Sequence, residues 1–454
     1  MKQNTLLDIQ IQRIKEKLAH IESYDKEWKV FGSNSHEYQI GPGINHQEIT
    51  VFEKKYGIEL PEAYVAFVTQ IGNGNPQEEA YMGSGAGPYY GIYPFGEGIE
   101  DLPVGDGQRY LSYPCLLHPT MTEEEWKALT SELYDDSLSD QAYDAIVGPL
   151  YGGLLPLGTQ GCAITTCLIL NGPYLGRIVY LNDDYKPQFA FETHFLDWYE
   201  RWLDEIISGE LLAQHAGWFG YKRGGTAVYL WNAFQTTTNE KEQLEYLEGL
   251  ISKKDIEEEI IQALIEKIPE ATTPIRQQLI SILAKVDYNK SLPFLEEEVK
   301  ESLLFVLQQI HWYGANEAAW LPVLDAYKDK IAEEETYRFF TYIALKATTD
   351  FAYLLLPGLQ SPLSAIRSQA VYSLGKATDK QQYATAFMTA LQDEEDQVVL
   401  YALQALGGVE DDRLRQAYQV VYHKYKDSDE DNYIMINLNH QLKEKNLTVE
   451  DLKN

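Results

Sequence analysis

The chain has 454 residues, 44% of them hydrophobic and 23% charged, with 37 Lys and Arg against 69 Asp and Glu for a formal charge of -32. That length exceeds what one hydrophobic core usually organises, so two or more domains are expected, and the composition is that of a folded chain rather than a disordered one. The acidity runs through both halves; it disfavours nucleic acid and anionic membrane as partners, which need cationic surface, and favours a basic protein drawn in at long range.

Three cysteines, Cys115, Cys162 and Cys167, make no disulfide framework and suit a reducing compartment. The first residues lack the apolar run of a signal peptide, and no stretch approaches the roughly 20 apolar residues that span a bilayer. A cytoplasmic protein is expected.

Leu6, Ile9, Ile14, Leu18 and Ile21 fit an amphipathic opening helix, and the Gly, Ser, Asn and Pro between Gly32 and Gly43 read as a loop. Ile49, Phe52 and Tyr56 then share one helical face, and Gly57 stands where a left-handed cap would end that helix. Leu60-Pro61 opens a second helix, with Pro61 in its first turn and Glu62 beside the positive end. Tyr64, Phe67, Val68 and Ile71 continue as an apolar stripe until Gly72-Asn73-Gly74 breaks it. A helical hairpin with a sharp exit turn is expected.

The glycine-rich run Met82 to Gly91 has no following Lys-Ser/Thr and matches neither common nucleotide fingerprint, so it reads as a loop leading into a short strand around Tyr90 to Phe95. Thr122 caps a helix with an acidic first turn, Glu123-Glu124-Glu125. Cys162 to Leu170 and Arg177 to Leu181 form a hairpin pair around Asn171-Gly172-Pro173, with Cys162 and Cys167 pointing to opposite faces of one strand. Asp183-Asp184 closes the second strand. Paired carboxylates can hold a metal or move protons, but two adjacent aspartates at a strand end read more simply as a solvated turn. The histidines form no His-x-x-x-His or His-Glu-x-x-His pattern, and no serine sits in a Gly-x-Ser-x-Gly elbow. No catalytic set, metal site or cofactor is expected.

The pattern Phe52-Glu53, Gly57, Leu60-Pro61, Tyr64, Phe67 and Gly72-Asn73-Gly74 resembles the signature of the SUKH superfamily, which includes bacterial immunity proteins and fungal regulators of cell-wall synthesis. Pro156-Leu157-Gly158, Gly161-Cys162, Asn171-Gly172-Pro173 and Gly176 to Tyr180 look like that family's central hairpins, and Phe195 to Leu203 looks like its closing helix. The resemblance covers roughly residues 1–210 and implies an α+β domain with helices packed on a mainly antiparallel sheet. The acidic stretch Met121 to Asp144 departs from the pattern as an insertion would.

Residues 211–239 form an aromatic junction and linker, with Trp218, Phe219, Tyr221, Tyr229, Trp231 and Phe234 expected to bury between two domains and Thr236 to Asn239 to cap the next helix. From residue 240 to 454 the pattern is helical and repeats. Leu359, Ile366, Arg367, Ala370, Leu374 and Gly375 recur 32 positions later as Leu391, Val398, Val399, Ala402, Leu406 and Gly407, with Asp393 to Asp396 as the polar turn between helices. Short helices with one apolar face bury it by stacking, so this half resembles an α-solenoid of HEAT-like repeats.

The SUKH resemblance implies a non-enzymatic protein that neutralises a cognate toxin by direct binding, nucleases being a basic class of toxin that suits an acidic inhibitor. The alternative is a regulatory scaffold that binds other protein clients through the two halves. Glu78, Glu79, Glu97, Glu100, Asp101, Asp183 and Asp184, acids near the expected sheet and hairpin, are the candidate partner contacts.

Overall fold

The computed structural model describes residues 6–76, 81–99, 107–134, 137–182, 185–213, 218–428 and 432–453. They fall into two compact units, Met1–Ala263 and Leu264–Asn454, so the aromatic segment 211–239 and the helix Glu240–Ile251 lie in the first.

The first unit is α+β. Its sheet runs β1 (Leu154–Gly161), β2 (Ile164–Ile169), β3 (Ile178–Leu181) and β4 (Gln188–Phe189), each antiparallel to the next and in that order. Period-two alternation sends Leu155, Leu157, Leu168, Leu170, Ile178 and Tyr180 to one face and Leu154, Cys167, Ile169, Val179 and Leu181 to the other. Both faces are covered. The opening helix Leu6–Leu18, the helical hairpin and the closing helix Phe195–Ile207 contribute to the first core. On the second, Met121, Trp126, Val147 and Leu150 pack, so the acidic insertion folds as two helices, Glu123–Thr130 and Asp140–Leu150, that shield the sheet. Thr122 and Glu125 form the capping box that starts the first of them.

The hairpin motif has a local cause at nearly every position. Asn45 and Glu48 cap the helix His46–Tyr56, and Gly57 ends it at φ 66°. Glu53 reaches forward, its carboxylate accepting the Leu60 N–H at 2.9 Å, which fixes the turn. Pro61 is the N-cap of Glu62–Ala66 rather than a first-turn residue, because its ψ of 132° is extended. The helix then loosens into a π-helical turn, Phe67–Ile71. In the exit, Asn73 Oδ1 accepts the Phe95 N–H at 2.6 Å while the Gly41 N–H donates to the Gly74 carbonyl. A Cβ on Gly72 would lie 2.5 Å from the Gly41 carbonyl oxygen, so close backbone approach, not positive φ, demands that glycine.

Two expectations are corrected. The segment Tyr90 to Phe95 is not a strand: among the described residues it forms one bridge, Gly85 with Ile92, and runs along the edge of β1 through the Tyr93 N–H to the Leu157 carbonyl, 2.7 Å. Cys162 is not in a strand with Cys167. It occupies the β1–β2 turn with Ala163, both at positive φ (49° and 59°), between the paired residues Gly161 and Ile164, as a two-residue type I′ hairpin requires.

The second unit is all helix. Thr273–Val286, Leu303–Tyr313, Glu334–Ala347, Ser364–Leu374, Asp396–Ala405 and Tyr433–Glu444 pack side by side as one row, and other helices such as Ala384–Ala390 and Leu414–Tyr425 back them. The repeat seen in sequence is the buried seam: Ile366, Ala370 and Leu374 in one helix, Val398, Ala402 and Leu406 along the next. Arg367 forks onto both oxygens of Asp393, 2.7 and 2.8 Å, so the arginine of one repeat holds the polar turn of the following one.

Candidate functional site

The segment after the opening helix is nucleated by a buried carboxylate. Asp25 is 2% exposed and accepts hydrogen bonds from the Lys29 and Val30 amides, Ser33 Oγ and Tyr38 Oη. Burial alone would raise its pKa, but the bonds from Tyr38, Val30, Lys29 and Ser33 hold it below the ordinary value. This anchor sets Val30 inward and leaves Phe31 half exposed, at 52%.

Phe31 meets residues from distant parts of the chain. Its ring centroid lies 5.2 Å from Trp218, 5.6 Å from Tyr90 and 6.3 Å from Tyr89, and Tyr89 lies 5.7 Å from Trp218. Tyr89, at φ 58°, donates its hydroxyl to the Phe219 carbonyl at 2.6 Å, which ties the glycine-rich loop to the aromatic segment. Val30, Phe31, Tyr89, Trp202, Leu211, Trp218 and Phe219 line a cleft of about 240 Å³. Trp218 is 53% exposed, and the buried indole N–H of Trp202 has no acceptor among the described residues.

A charged cleft of about 520 Å³ adjoins it, since Arg201 and Glu210 line the second where their neighbours Trp202 and Leu211 line the first. Six carboxylates, Glu192, Asp197, Glu200, Asp204, Glu205 and Glu210, face Arg13, Lys17, Arg201 and Lys253 there. Glu200 accepts from Arg13 Nε and Nη2 and from Lys17 Nζ, each at 2.8 Å, and from Gln10 at 3.1 Å. Burial works against its charged form, yet Arg13 and Lys17 bring its pKa down to about 2. Burial would lower Arg201, but Glu205 and Glu192, both bonded at 2.7 Å, raise it instead. The Arg201 guanidinium lies 5.3 Å from the Phe219 ring centroid, joining the network to the aromatic wall. Burial raises Glu210 despite its 2.7 Å bond to Lys253.

This arrangement is suited to recognition: rings at the centre, ion pairs at the side, and each cation of the network already engaged by a carboxylate. Among the described residues no group of three or more His, Cys, Asp or Glu could hold a metal ion. His36 is buried with Nδ1 accepting the Tyr38 N–H, and burial, partly offset by the Gly87 and Tyr89 carbonyls, holds its pKa at about 4, so it is neutral at pH 7.

Of the acids expected to contact a partner, Glu97 is exposed in the turn after Pro94 and lines neither cleft. Glu78, Glu79, Glu100, Asp101, Asp183 and Asp184 lie outside the described residues. Sequence reasoning singled out Trp218 and Phe219 but missed Phe31, Leu211 and the ion cluster. Trp28-x-x-Phe31 ahead of a Gly/Ser loop was the one signal available for the first.

The first unit is thus an α+β module whose sheet is enclosed between a helical hairpin and two inserted helices, and the second an array of HEAT-like helical repeats. Residues 43–201 match the model of the SMI1 / KNR4 family (SUKH-1), and the N-terminal half of the chain carries a SUKH domain. Comparison with curated proteins gave no match. No helix of the described residues is long and apolar enough to cross a membrane.

Proposed function

We propose that this is a non-enzymatic, cytoplasmic immunity protein that neutralises a basic toxin domain by binding it directly, with the aromatic cleft of the SUKH domain as the central contact. SUKH membership supports immunity or cell-wall regulatory roles in general. The observation that carries the narrower reading is the exposed pair Phe31 and Trp218 over an apolar cleft, next to a network richer in carboxylates than in cations, on a chain of net charge -32. Large rings in a partly dry pocket are the residues that dominate binding energy, and surrounding negative charge steers a cationic partner.

The test is co-expression with any toxin domain found encoded beside this gene, scoring growth. Phe31→Ser with Trp218→Ser should abolish protection while leaving the far-ultraviolet circular dichroism and a cooperative melting transition in place, because both side chains are about half exposed. Full protection by that folded variant would reject the cleft as the contact. A charge reversal at Glu97 tests the acidic surface separately and should slow association at low salt. The second reading, a regulatory scaffold, is favoured by the repeat array, which offers a second binding surface; recovery of several unrelated clients and no toxin would support it.

A further inference from the structure

Guanidinium groups of the first unit lie repeatedly on aromatic rings with a carboxylate at their edge. Arg223 stands 4.9 Å from the Phe191 centroid and 4.4 Å from that of Tyr246, and bonds Glu245 at 2.6 Å. Arg201 stands 5.3 Å from the Phe219 centroid and bonds Glu192 and Glu205, both at 2.7 Å. Phe219 is also a wall of the aromatic cleft. The outer rings of that cleft are placed differently. Phe31 and Trp218 are about half exposed, and among the described residues no Arg or Lys stands over Phe31, Tyr89 or Trp218.

The charge behind the cleft has a definite sign. One guanidinium shared by two carboxylates, Arg201 with Glu192 and Glu205, leaves a negative charge behind the Phe219 wall. Six carboxylates line the adjoining cluster against Arg13, Lys17, Arg201 and Lys253; adding Lys254, whose Nζ lies 3.7 Å from the place of a Cβ on Gly209, still leaves six against five. Next to the cleft residue Leu211, burial keeps the Glu210 carboxyl raised even with Lys253 bonded to it, so a further cation nearby is favoured. Two residues before Phe31, Lys29 is already paired with Glu27 at 2.7 Å.

We propose that the cleft receives an arginine side chain of the partner, its guanidinium lying against Phe31 and Trp218. The proposal rests on the cleft being the contact surface and names the group that fills it. Ring faces attract a cation, and a planar, weakly hydrated guanidinium stacks on them where an ammonium keeps its water. An aliphatic side chain would bury similar apolar surface but gain nothing from the negative charge behind the wall. The expected preference for arginine over a neutral side chain is about fivefold to thirtyfold.

The test is selection of a phage-displayed random 12-residue library on the immobilised full-length chain, followed by fluorescence anisotropy with the enriched peptides. These should share an arginine whose replacement by glutamine or leucine lowers affinity at least about fivefold, and whose replacement by lysine costs less. Trp218→Leu should cause a comparable loss for the arginine peptide and almost none for its glutamine counterpart, whereas Trp218→Phe, which keeps a ring, should stay within about threefold of the parent chain. Far-ultraviolet circular dichroism checks that each variant is folded. Peptides that bind equally well with leucine for arginine, yet are lost on Phe31→Ser/Trp218→Ser, would overturn the arginine and leave the cleft as the contact. Arginine peptides indifferent to that pair would overturn both. A selection that enriches no arginine would also overturn the proposal.

Discussion

Replacing Glu200 by glutamine keeps the shape of the side chain and one acceptor oxygen but removes the charge that holds the opening helix to the closing one. In the folded protein Glu200 is 7% exposed and engaged by Gln10, Arg13 and Lys17, three residues of the helix Leu6–Leu18. Burial opposes its ionised form, and those partners still lower its pKa from 4.5 to about 2. At full weight such a shift corresponds to about 3 kcal/mol. Arg13 is 52% exposed, so solvent screens part of that, and about 2 kcal/mol is the expected loss. Because the folded carboxyl titrates below its ordinary value, the contribution is complete above about pH 4.5 and disappears as the pH falls toward 2. Amide hydrogen exchange of the peptide covering residues 6–18 reads this local opening directly. At pH 7, Glu200→Gln should exchange roughly thirtyfold faster than the parent chain, 1.4 kcal/mol being a factor of ten. The difference should shrink between pH 4.5 and pH 2.5. Equal protection at pH 7, or a difference that widens on acidification, would refute the assignment of the helix contact to this carboxylate.

Glycine substitutions separate conformational strain from steric conflict. Gly57→Ala meets nothing within 4 Å and should cost only about 1 kcal/mol for its positive φ, whereas Gly32→Ala puts a Cβ 2.2 Å from the Tyr89 carbonyl oxygen and should cost well over 2 kcal/mol by urea denaturation. Asp25→Asn replaces an acceptor of four hydrogen bonds by a group that also donates, so a loss of about 2 kcal/mol and a change in tryptophan fluorescence near Trp28 are expected. In the repeat array, a double-mutant cycle on Arg367→Ala and Asp393→Ala should give a coupling of about 1 kcal/mol, and Arg367→Lys should recover little of it because an ammonium cannot fork onto both oxygens.

The parts of the fold legible in sequence are those whose causes lie within a few residues. Phe52-Glu53, Gly57 and Leu60-Pro61 announce a helix, a left-handed cap and a restart, and the Glu53 bond to the Leu60 amide shows why those spacings travel together. The 32-residue echo of Ile366, Ala370 and Leu374 is legible because stacked repeats bury equivalent positions. The misreadings have equally physical reasons. Tyr90 to Phe95 has the apolar, aromatic content of a strand, but glycines at positive φ, Gly91 within it and Gly96 just after it, confine its pairing to single bonds along β1. Cys162 reads as a strand residue because its neighbours are β-formers, but the hairpin needs two turn residues between Gly161 and Ile164 and takes Cys162 and Ala163.

By itself the amino-acid sequence determined the helical hairpin, the antiparallel hairpins, the repeat period and the acidity, since each follows from local backbone preference, side-chain periodicity or simple charge count. Only the tertiary structure decided where the surfaces for binding lie. Phe31, Tyr89, Trp202 and Trp218 carry no shared pattern along the chain and become one cleft because the buried Asp25 anchor, the Tyr89 bond to Phe219 and the closing helix converge there.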